Sequence, residues 1–185
     1  NELRSLGFDI LNSEDFQDKF PYYLKYISRQ NFAANWPEKN MCNYLKEPLH
    51  FAMTIIACDD ADGLVAGAVT ESSKVIRAAI RIIGIQPSSS FVSSVFFMIS
   101  PNGKRAYTFA DCAVIPEPDS KQLAVIGAEA AKMHRKITGE EPIVAFLSFS
   151  TKGSAKHYRV EKVRKAVEIF SHQNPNVIHD GEIQL

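Results

Sequence analysis

Cysteine, excess charge of either sign and long apolar runs are all scarce in this sequence of 185 residues. The three cysteines lie far apart and form no CxxC pair, so we expect no disulfide framework and a reducing, cytoplasmic location. Lys plus Arg and Asp plus Glu each number 21, and this balance argues against a dedicated nucleic-acid binder. No apolar run approaches the roughly 18 residues of a membrane span, so no membrane partner is expected.

Several common catalytic signatures are also missing. The sequence has no GxSxG, no P-loop and no GxGxxG, which leaves nucleophile-elbow hydrolases, NTPases and dinucleotide-binding domains without support. Its five histidines show no metal-ligand spacing with cysteines or carboxylates, so no metal site is expected.

The order of the remaining patterns favours an α/β fold with largely parallel sheets, because strand-like apolar runs alternate with longer helical patterns. The segment 87–90 (Pro-Ser-Ser-Ser) is typical of a boundary, and we therefore divide the chain into residues 1–86 and 87–185. Helices are predicted over 13–31, 37–45, 49–58, from Ser72 or Ser73 to Gly84, from 119 to 138, and along 160–170. Strands are predicted over 64–69, 91–99, 107–114, 143–149 and 177–183.

Two of these predictions specify burial. The small and β-branched residues of 64–69 predict a buried strand. In the following helix, helical spacing places Ile76, Ala79, Ile80 and Ile83 on one apolar face. The chain ends inside or just after its last predicted strand, so we expect a sequence that is cut off at its C-terminus.

The strongest candidate for chemistry is the segment 147–156, LSFSTKGSAK, which joins a buried strand to a helix. Backbone N–H groups at a helix N-terminus attract anions, and hydroxyls and a lysine would add donors. A capped helix with solvated lysines is the structural alternative. The basic positions of the next helix could attract an anionic cofactor, but we favour a solvated amphipathic face. The predicted anion-binding residues are Ser150, Thr151, Lys152, Gly153 and Ser154.

Other charged side chains have open interpretations. Arg77 and Arg81 are four residues apart and share a helix face, which suits either phosphate binding or a surface pair. Asp111 and Cys112 lie in an apolar run and point to opposite faces if that run is a strand. We interpret Cys112 as structural and leave Asp111 open between a site residue and a cap for the next loop.

Five segments in this order resemble the phosphotransacetylase (phosphate acetyltransferase) family and its phosphate butyryltransferase relatives. They are ADGLVAGA (61–68), FADCAV (109–114), LSFSTKGSAK (147–156), EKV (161–163) and DGEIQ (180–184). The resemblance implies two α/β domains related to isocitrate and isopropylmalate dehydrogenases. Residues 1–86 would form the later part of the first domain, and residues 87–185 most of the second.

The resemblance also implies an activity, acetyl-CoA + phosphate ⇌ acetyl phosphate + CoA. The substrates would be acetyl-CoA and phosphate, with no tightly bound cofactor, no metal and a homodimeric assembly. Arg77 matches the arginine of the family's LRPAxQ motif, and Arg29 matches a second arginine across a short gap, so both are expected to be catalytic. The loop 150–154 would bind substrate, whereas the family's Ser-Arg and Asp cluster lies beyond residue 185.

The stretch 70–78 departs from the family pattern: Thr70 replaces a histidine, Lys74 an aspartate and Ala78 a proline. These changes somewhat favour a second interpretation, a non-catalytic, acetyl-CoA-sensing domain such as those fused to malic enzymes. A third interpretation, phosphate butyryltransferase, differs only in the length of the acyl group.

Overall fold

The structure is a computed structural model that describes residues 5–10, 18–87 and 89–185. It divides into two compact units, Asn1–Ser90 and Phe91–Leu185. None of the helices in these described ranges combines the length and apolar character needed to cross a membrane.

The described part of the first unit is helical. It contains α1 (Phe20–Ser28), a 3₁₀ turn (Asn31–Ala33), α2 (Glu38–Lys46), α3 (Pro48–Ala57) and α4 (Ser72–Ile82). Prolines lie in the first turns of α1 and α3, where a missing N–H costs no helical hydrogen bond. The helices enclose one core: Tyr23, Ile27, Ala33, Leu45, Phe51, Met53, Ala78 and Ile82.

One prediction for this unit is wrong, and a second is confirmed only in part. Residues 64–69 form no strand and are largely exposed, with Val65 and Val69 fully so. A strand requires a hydrogen-bonded neighbour, and none of the described residues pairs with this run. The helix predicted over 13–31 begins, within the described residues, only at Phe20, and residues 11–17 lie outside them.

The buried face of α4 also differs from the predicted one. Ala78 and Ile82 are buried, whereas Ile80 and Ile83 are 39% and 46% exposed. Val75 and Ala79 complete the buried face at the same helical spacing, so a neighbouring stripe of smaller residues packs on the core. The helix ends as predicted, because Gly84 adopts a φ of 94° and its N–H donates to Ala79 O.

The second unit begins with the predicted hairpin. β1 (Val95–Ile99) pairs antiparallel with β2 (Ala106–Ala110), and Val95 lies opposite Ala110. Residues Asn102 and Gly103 form the turn, in which Gly103 has a φ of 70°.

A helix-strand-helix-strand sequence follows: α5 (Ser120–Thr138), β3 (Ile143–Leu147), α6 (Tyr158–Gln173) and β4 (Ile178–Ile183). Asp119 and Gln122 form a capping box at the start of α5. β3 and β4 pair in parallel, as expected for strands joined by a helix. Phe146 on β3 packs in a core whose buried members are Ala124, Phe146, Val163, Ala166 and Phe170.

One glycine is required by close packing in this unit. A Cβ on Gly181 of β4 would lie 2.7 Å from Phe146 Cβ and 2.8 Å from Val167 Cγ2. Glycine therefore lets β4 approach β3 and α6.

The α/β class is confirmed, but the sheets are small. In the described residues one two-stranded sheet is antiparallel and the other is parallel. β3 is not buried on both faces as predicted, since Ile143 is 76% and Leu147 43% exposed. Both residues line an apolar cavity of about 520 Å³ that β2, α5 and β3 enclose together.

Candidate functional site

The loop 148–157 lies between β3 and α6, alongside the end of β4. Ser148 N donates to Ile183 O at 2.9 Å, and Lys152 N donates to Glu182 O at 3.1 Å. Gln184 N donates to Thr151 Oγ1 at 2.9 Å. The DGEIQ and LSFSTKGSAK segments, which are distant in sequence, thus form one structural feature.

A buried carboxylate lies inside this loop. Glu182 is 2% exposed, and its Oε1 accepts the N–H of Gly153 at 2.6 Å and the hydroxyl of Ser150 at 3.3 Å. Its Oε2 lies 3.8 Å from Nε of Arg164. The N–H of Gly153 makes the largest contribution to lowering the pKa of Glu182, and these donors outweigh the effect of burial.

Serine hydroxyls complete the internal network of the loop. Ser150 is fully buried, and its Oγ accepts the N–H of Ala155 at 3.1 Å and lies 3.1 Å from Ser154 Oγ. Ser154 Oγ also accepts the N–H of Thr151 at 3.1 Å. The backbone N–H groups that the sequence analysis expected to be free for an anion therefore donate within the protein.

The side chain of Lys152 lies at the surface of this loop. Its backbone has a φ of 48°, an uncommon conformation for a residue other than glycine. Its Nζ forms an ion pair with Asp180 and donates to Gly181 O at 3.2 Å, while 57% of the side chain stays exposed. The ion pair with Lys152 is the largest cause of the lowered pKa of Asp180.

The basic face of α6 is largely compensated by acids. Arg159 and Lys162 lie 3.5 Å and 3.6 Å from the same carboxylate oxygen of Glu117. Arg164 lies 3.3 Å from Glu161. This arrangement matches the interpretation of α6 as a solvated face.

Asp111 organises the loop that follows β2. Its carboxylate accepts the N–H groups of Ala113, Val114 and Ile115, the last at 2.7 Å. Asp111 therefore acts as a cap, the second of the two roles left open. Cys112 follows the strand rather than lying in it, and its Sγ contacts Phe109 O at 3.2 Å.

The predicted catalytic arginines lie in the first unit. Arg77 is on α4 and Arg29 directly follows α1, and both are exposed. Neither side chain has an ion pair or hydrogen bond to another described residue. Arg81, one turn after Arg77, instead places its guanidinium 5.9 Å from the centre of the Phe32 ring. Both α4 arginines are exposed, and Arg77 is the one without such a ring contact among the described residues.

The apolar cavity of the second unit contains none of the predicted site residues. No group of three or more His, Cys, Asp or Glu side chains suited to a metal ion occurs within residues 5–10, 18–87 and 89–185.

Similarity to known proteins extends over the whole chain. Residues 1–185 match the family described as "Phosphate acetyl/butaryl transferase". The chain belongs to this family. It is 33% identical to the phosphate acetyltransferase of Acetivibrio thermocellus over 198 aligned positions, covering all of this chain and 58% of that protein. Against the phosphate acetyltransferase of Thermoanaerobacterium thermosaccharolyticum the identity is 43% over 145 positions, or 76% of this chain and 44% of the relative.

Solved structures agree with this assignment to the phosphate acetyl/butyryl transferase family. The EutD phosphotransacetylase from Staphylococcus aureus has a TM-score of 0.83 at 34% identity, with 98% of this chain and 56% of that chain covered. A phosphotransacetylase from Streptococcus pyogenes has a TM-score of 0.82. The chain therefore spans about half the length of the relatives it matches.

Sequence reasoning missed Glu182. The available signal was a carboxylate inside the predicted strand 177–183, next to a glycine, in a segment already noted for its resemblance. A buried charge in a strand needs partners, and the donors come from a loop about 30 residues earlier, which spacing alone does not reveal.

Proposed function

We propose that the protein is a phosphate acetyltransferase that transfers an acetyl group between CoA and inorganic phosphate. The observation that carries this proposal is the similarity to phosphate acetyltransferases over the whole chain, at 33% identity. The substrates are acetyl-CoA and phosphate, without a tightly bound cofactor or a metal.

Arg77 and Arg29 provide the positive charge for this reaction. A guanidinium donates two parallel N–H groups to phosphate or carboxylate oxygens. Both arginines are exposed, and no residue in the described part of the chain forms an ion pair or hydrogen bond with their side chains. When a phosphate oxygen attacks the thioester carbon, negative charge develops on the carbonyl oxygen. A guanidinium beside that oxygen stabilises the charge more strongly in the transition state than in the ground state, until the carbon–sulfur bond breaks and CoA leaves as the thiolate.

In the second unit, the loop 150–154 is the candidate for binding substrate, through the Lys152 ammonium rather than through backbone N–H groups. Its internal hydrogen bonds keep the loop in one conformation before substrate arrives, which reduces the entropy lost on binding.

The same proposal covers the wider organisation of the protein. The units Asn1–Ser90 and Phe91–Leu185 correspond to the later part of one α/β domain and most of a second, in an enzyme related to isocitrate dehydrogenases. We propose a cytoplasmic homodimer that binds neither nucleic acid nor membranes.

The test is phosphate-dependent release of CoA from acetyl-CoA by the full-length protein, followed with a thiol reagent. We expect release that requires phosphate and is faster with acetyl-CoA than with butyryl-CoA. A reversed acyl preference would instead indicate a butyryltransferase. A folded protein that binds acetyl-CoA and releases no CoA would contradict the proposal and support the regulatory interpretation.

A further inference from the structure

We infer that Glu182 is a positioning residue that fixes Lys152 for binding a phosphate group. The inference rests on the proposed function only in assigning that phosphate to inorganic phosphate or to CoA. Glu182 itself is buried and contacts no ligand in this assignment. It acts through the loop that carries Lys152.

Two consecutive backbone N–H groups of the loop donate to this one residue. Lys152 N donates to the main-chain oxygen of Glu182 at 3.1 Å, and Gly153 N donates to its Oε1 at 2.6 Å. Between these two bonds the Lys152 backbone has its φ of 48°. A non-glycine residue keeps such a conformation only where its surroundings impose it, and Glu182 provides both constraints.

The charge of Glu182 matters as well as its shape. The carboxylate is 2% exposed and is surrounded by the Gly153 N–H, the Ser150 hydroxyl and the Arg164 guanidinium. These groups would otherwise compete for an external anion. With Glu182 ionised their donors are already used. The Lys152 ammonium is an exposed cation of the loop, as is that of Lys156, and Lys152 is the one whose backbone Glu182 holds.

The Asp180 carboxylate pairs with the Lys152 ammonium at the position that we assign to the phosphate group. This carboxylate is 61% exposed, and the pair lies across the surface of the loop. Exposed ion pairs are weak, so a phosphate dianion can replace this carboxylate at small cost. The ligand is thus a phosphate group, from inorganic phosphate or from the phosphates of CoA.

The positioning role is tested first without turnover or mutation. Hydrogen exchange of the Lys152 and Gly153 amides in the full-length wild-type protein should be at least about tenfold slower than in an unstructured peptide of residues 148–157. Glu182→Gln keeps the side-chain length and removes the charge, and it should speed exchange at these two amides. Glu168→Gln, at an exposed position of α6, is the matched control and should leave it unchanged. Equally fast exchange in wild-type protein and peptide would overturn the inference.

The route through Lys152 is tested with a double-mutant cycle on ligand binding. Calorimetry would give the dissociation constants of inorganic phosphate and of CoA for wild type, Glu182→Gln, Lys152→Ala and the double variant. We expect about three- to tenfold weaker binding of one of the two ligands in each single variant, and no more than about twofold further loss in the double variant. The ligand that is weakened identifies the source of the phosphate.

The outcomes separate this inference from the proposed function. Losses that multiply in the double variant, or unchanged binding of both ligands, would overturn it even if the enzyme is active. Absence of phosphate-dependent CoA release in the wild type contradicts the proposed function, and the exchange and binding measurements still decide the role of Glu182. If Glu182→Gln does not fold, Glu182→Asp, which keeps the charge on a shorter side chain, takes its place in the exchange and binding measurements, and unchanged exchange and binding in that variant would overturn the inference.

Discussion

The carboxylate of Asp111 accepts both the backbone N–H and the hydroxyl of Ser94, which lies 17 positions earlier in the chain. The same serine hydroxyl accepts the N–H of Cys112 at 3.0 Å and that of Ala113 at 2.9 Å. These two short polar side chains thus accept the backbone N–H groups of a turn that makes no β1–β2 hydrogen bonds. Their contact joins the segment before β1 to the segment after β2.

Replacing Asp111 by Asn should destabilise the protein. The amide keeps the size of the carboxylate but cannot accept all of the N–H and O–H groups that converge there, and a partly buried donor without an acceptor is costly. We expect a loss of about 1–3 kcal/mol in the free energy of unfolding, measured by urea denaturation. Asp62→Asn, at an exposed position, is the control and should change it by less than about 0.5 kcal/mol. Equal stabilities of the two variants would contradict the role of Asp111.

The contribution of Asp111 should depend on pH. Burial alone would raise the pKa of Asp111, but the Ser94 hydroxyl and the N–H groups of Ala113, Ile115 and Ser94 outweigh it and lower the pKa. A carboxyl whose pKa is lower in the folded state stabilises above its unfolded pKa, about 3.9, and this stabilisation is lost as the pH falls through the folded value. The stability difference between wild type and Asp111→Asn should therefore be constant from pH 6 to about pH 5 and shrink below about pH 4. A difference that grows on acidification would contradict this assignment.

Gly181→Ala tests the close packing beneath the candidate site. The added methyl would lie 2.7 Å from Phe146 Cβ and 3.1 Å from Phe146 O. Both distances are too short, so β3 would have to move away from β4 to relieve the clash. We expect a cost of about 1–3 kcal/mol in the free energy of unfolding. Gly63→Ala is the matched control, since nothing lies within 4 Å of its added Cβ. Similar melting temperatures for the two variants would show that β4 does not pack as described.

Sequence reasoning was most successful where the determinant is local. The turn at Asn102 and Gly103 and the end of the helix at Gly139 each need only a few adjacent residues, and both are present. The composition of 64–69 indicates a strand, but a strand exists only with a partner, and composition carries no information about one.

The buried face of α4 and the role of Glu182 show the second limit. Helical spacing defines two adjacent stripes on α4, and the larger residues Ile80 and Ile83 favoured the wrong one. The tertiary core instead packs against Ala78 and Ile82.

At the candidate site, LSFSTKGSAK identifies the loop, but acceptors for its N–H and O–H groups come from Glu182 on a later strand. Which donors remain free for a ligand therefore follows only from the fold.

Arg77→Ala should weaken catalysis without destabilising the fold. Arg77 is exposed, and its side chain has no partner among the described residues. Its removal should therefore weaken the interaction with the ligand and leave the stability of the fold unchanged. Removing a charge-assisted donor costs about 1.5–3 kcal/mol, which corresponds to a roughly 10- to 150-fold lower kcat/KM for phosphate-dependent CoA release. Arg81→Ala is the control on the same helix. It should lower the melting temperature slightly through its Phe32 contact and change kcat/KM much less. An unchanged kcat/KM in folded Arg77→Ala would refute the role.

Lys152→Ala should give a smaller loss than Arg77→Ala. The lysine side chain is 57% exposed, and binding replaces its Asp180 partner by a phosphate. The net free energy gained on binding is therefore small, as for other partly solvated ion pairs. We expect about three- to tenfold weaker binding, and the effect should fade as salt is raised because the pair is exposed. Lys152→Arg keeps the charge and should restore most of the affinity. Steady-state kinetics at about 50 and 500 mM salt would measure both effects. A loss that equals that of Arg77→Ala and does not respond to salt would place Lys152 in a buried contact, which the loop geometry contradicts.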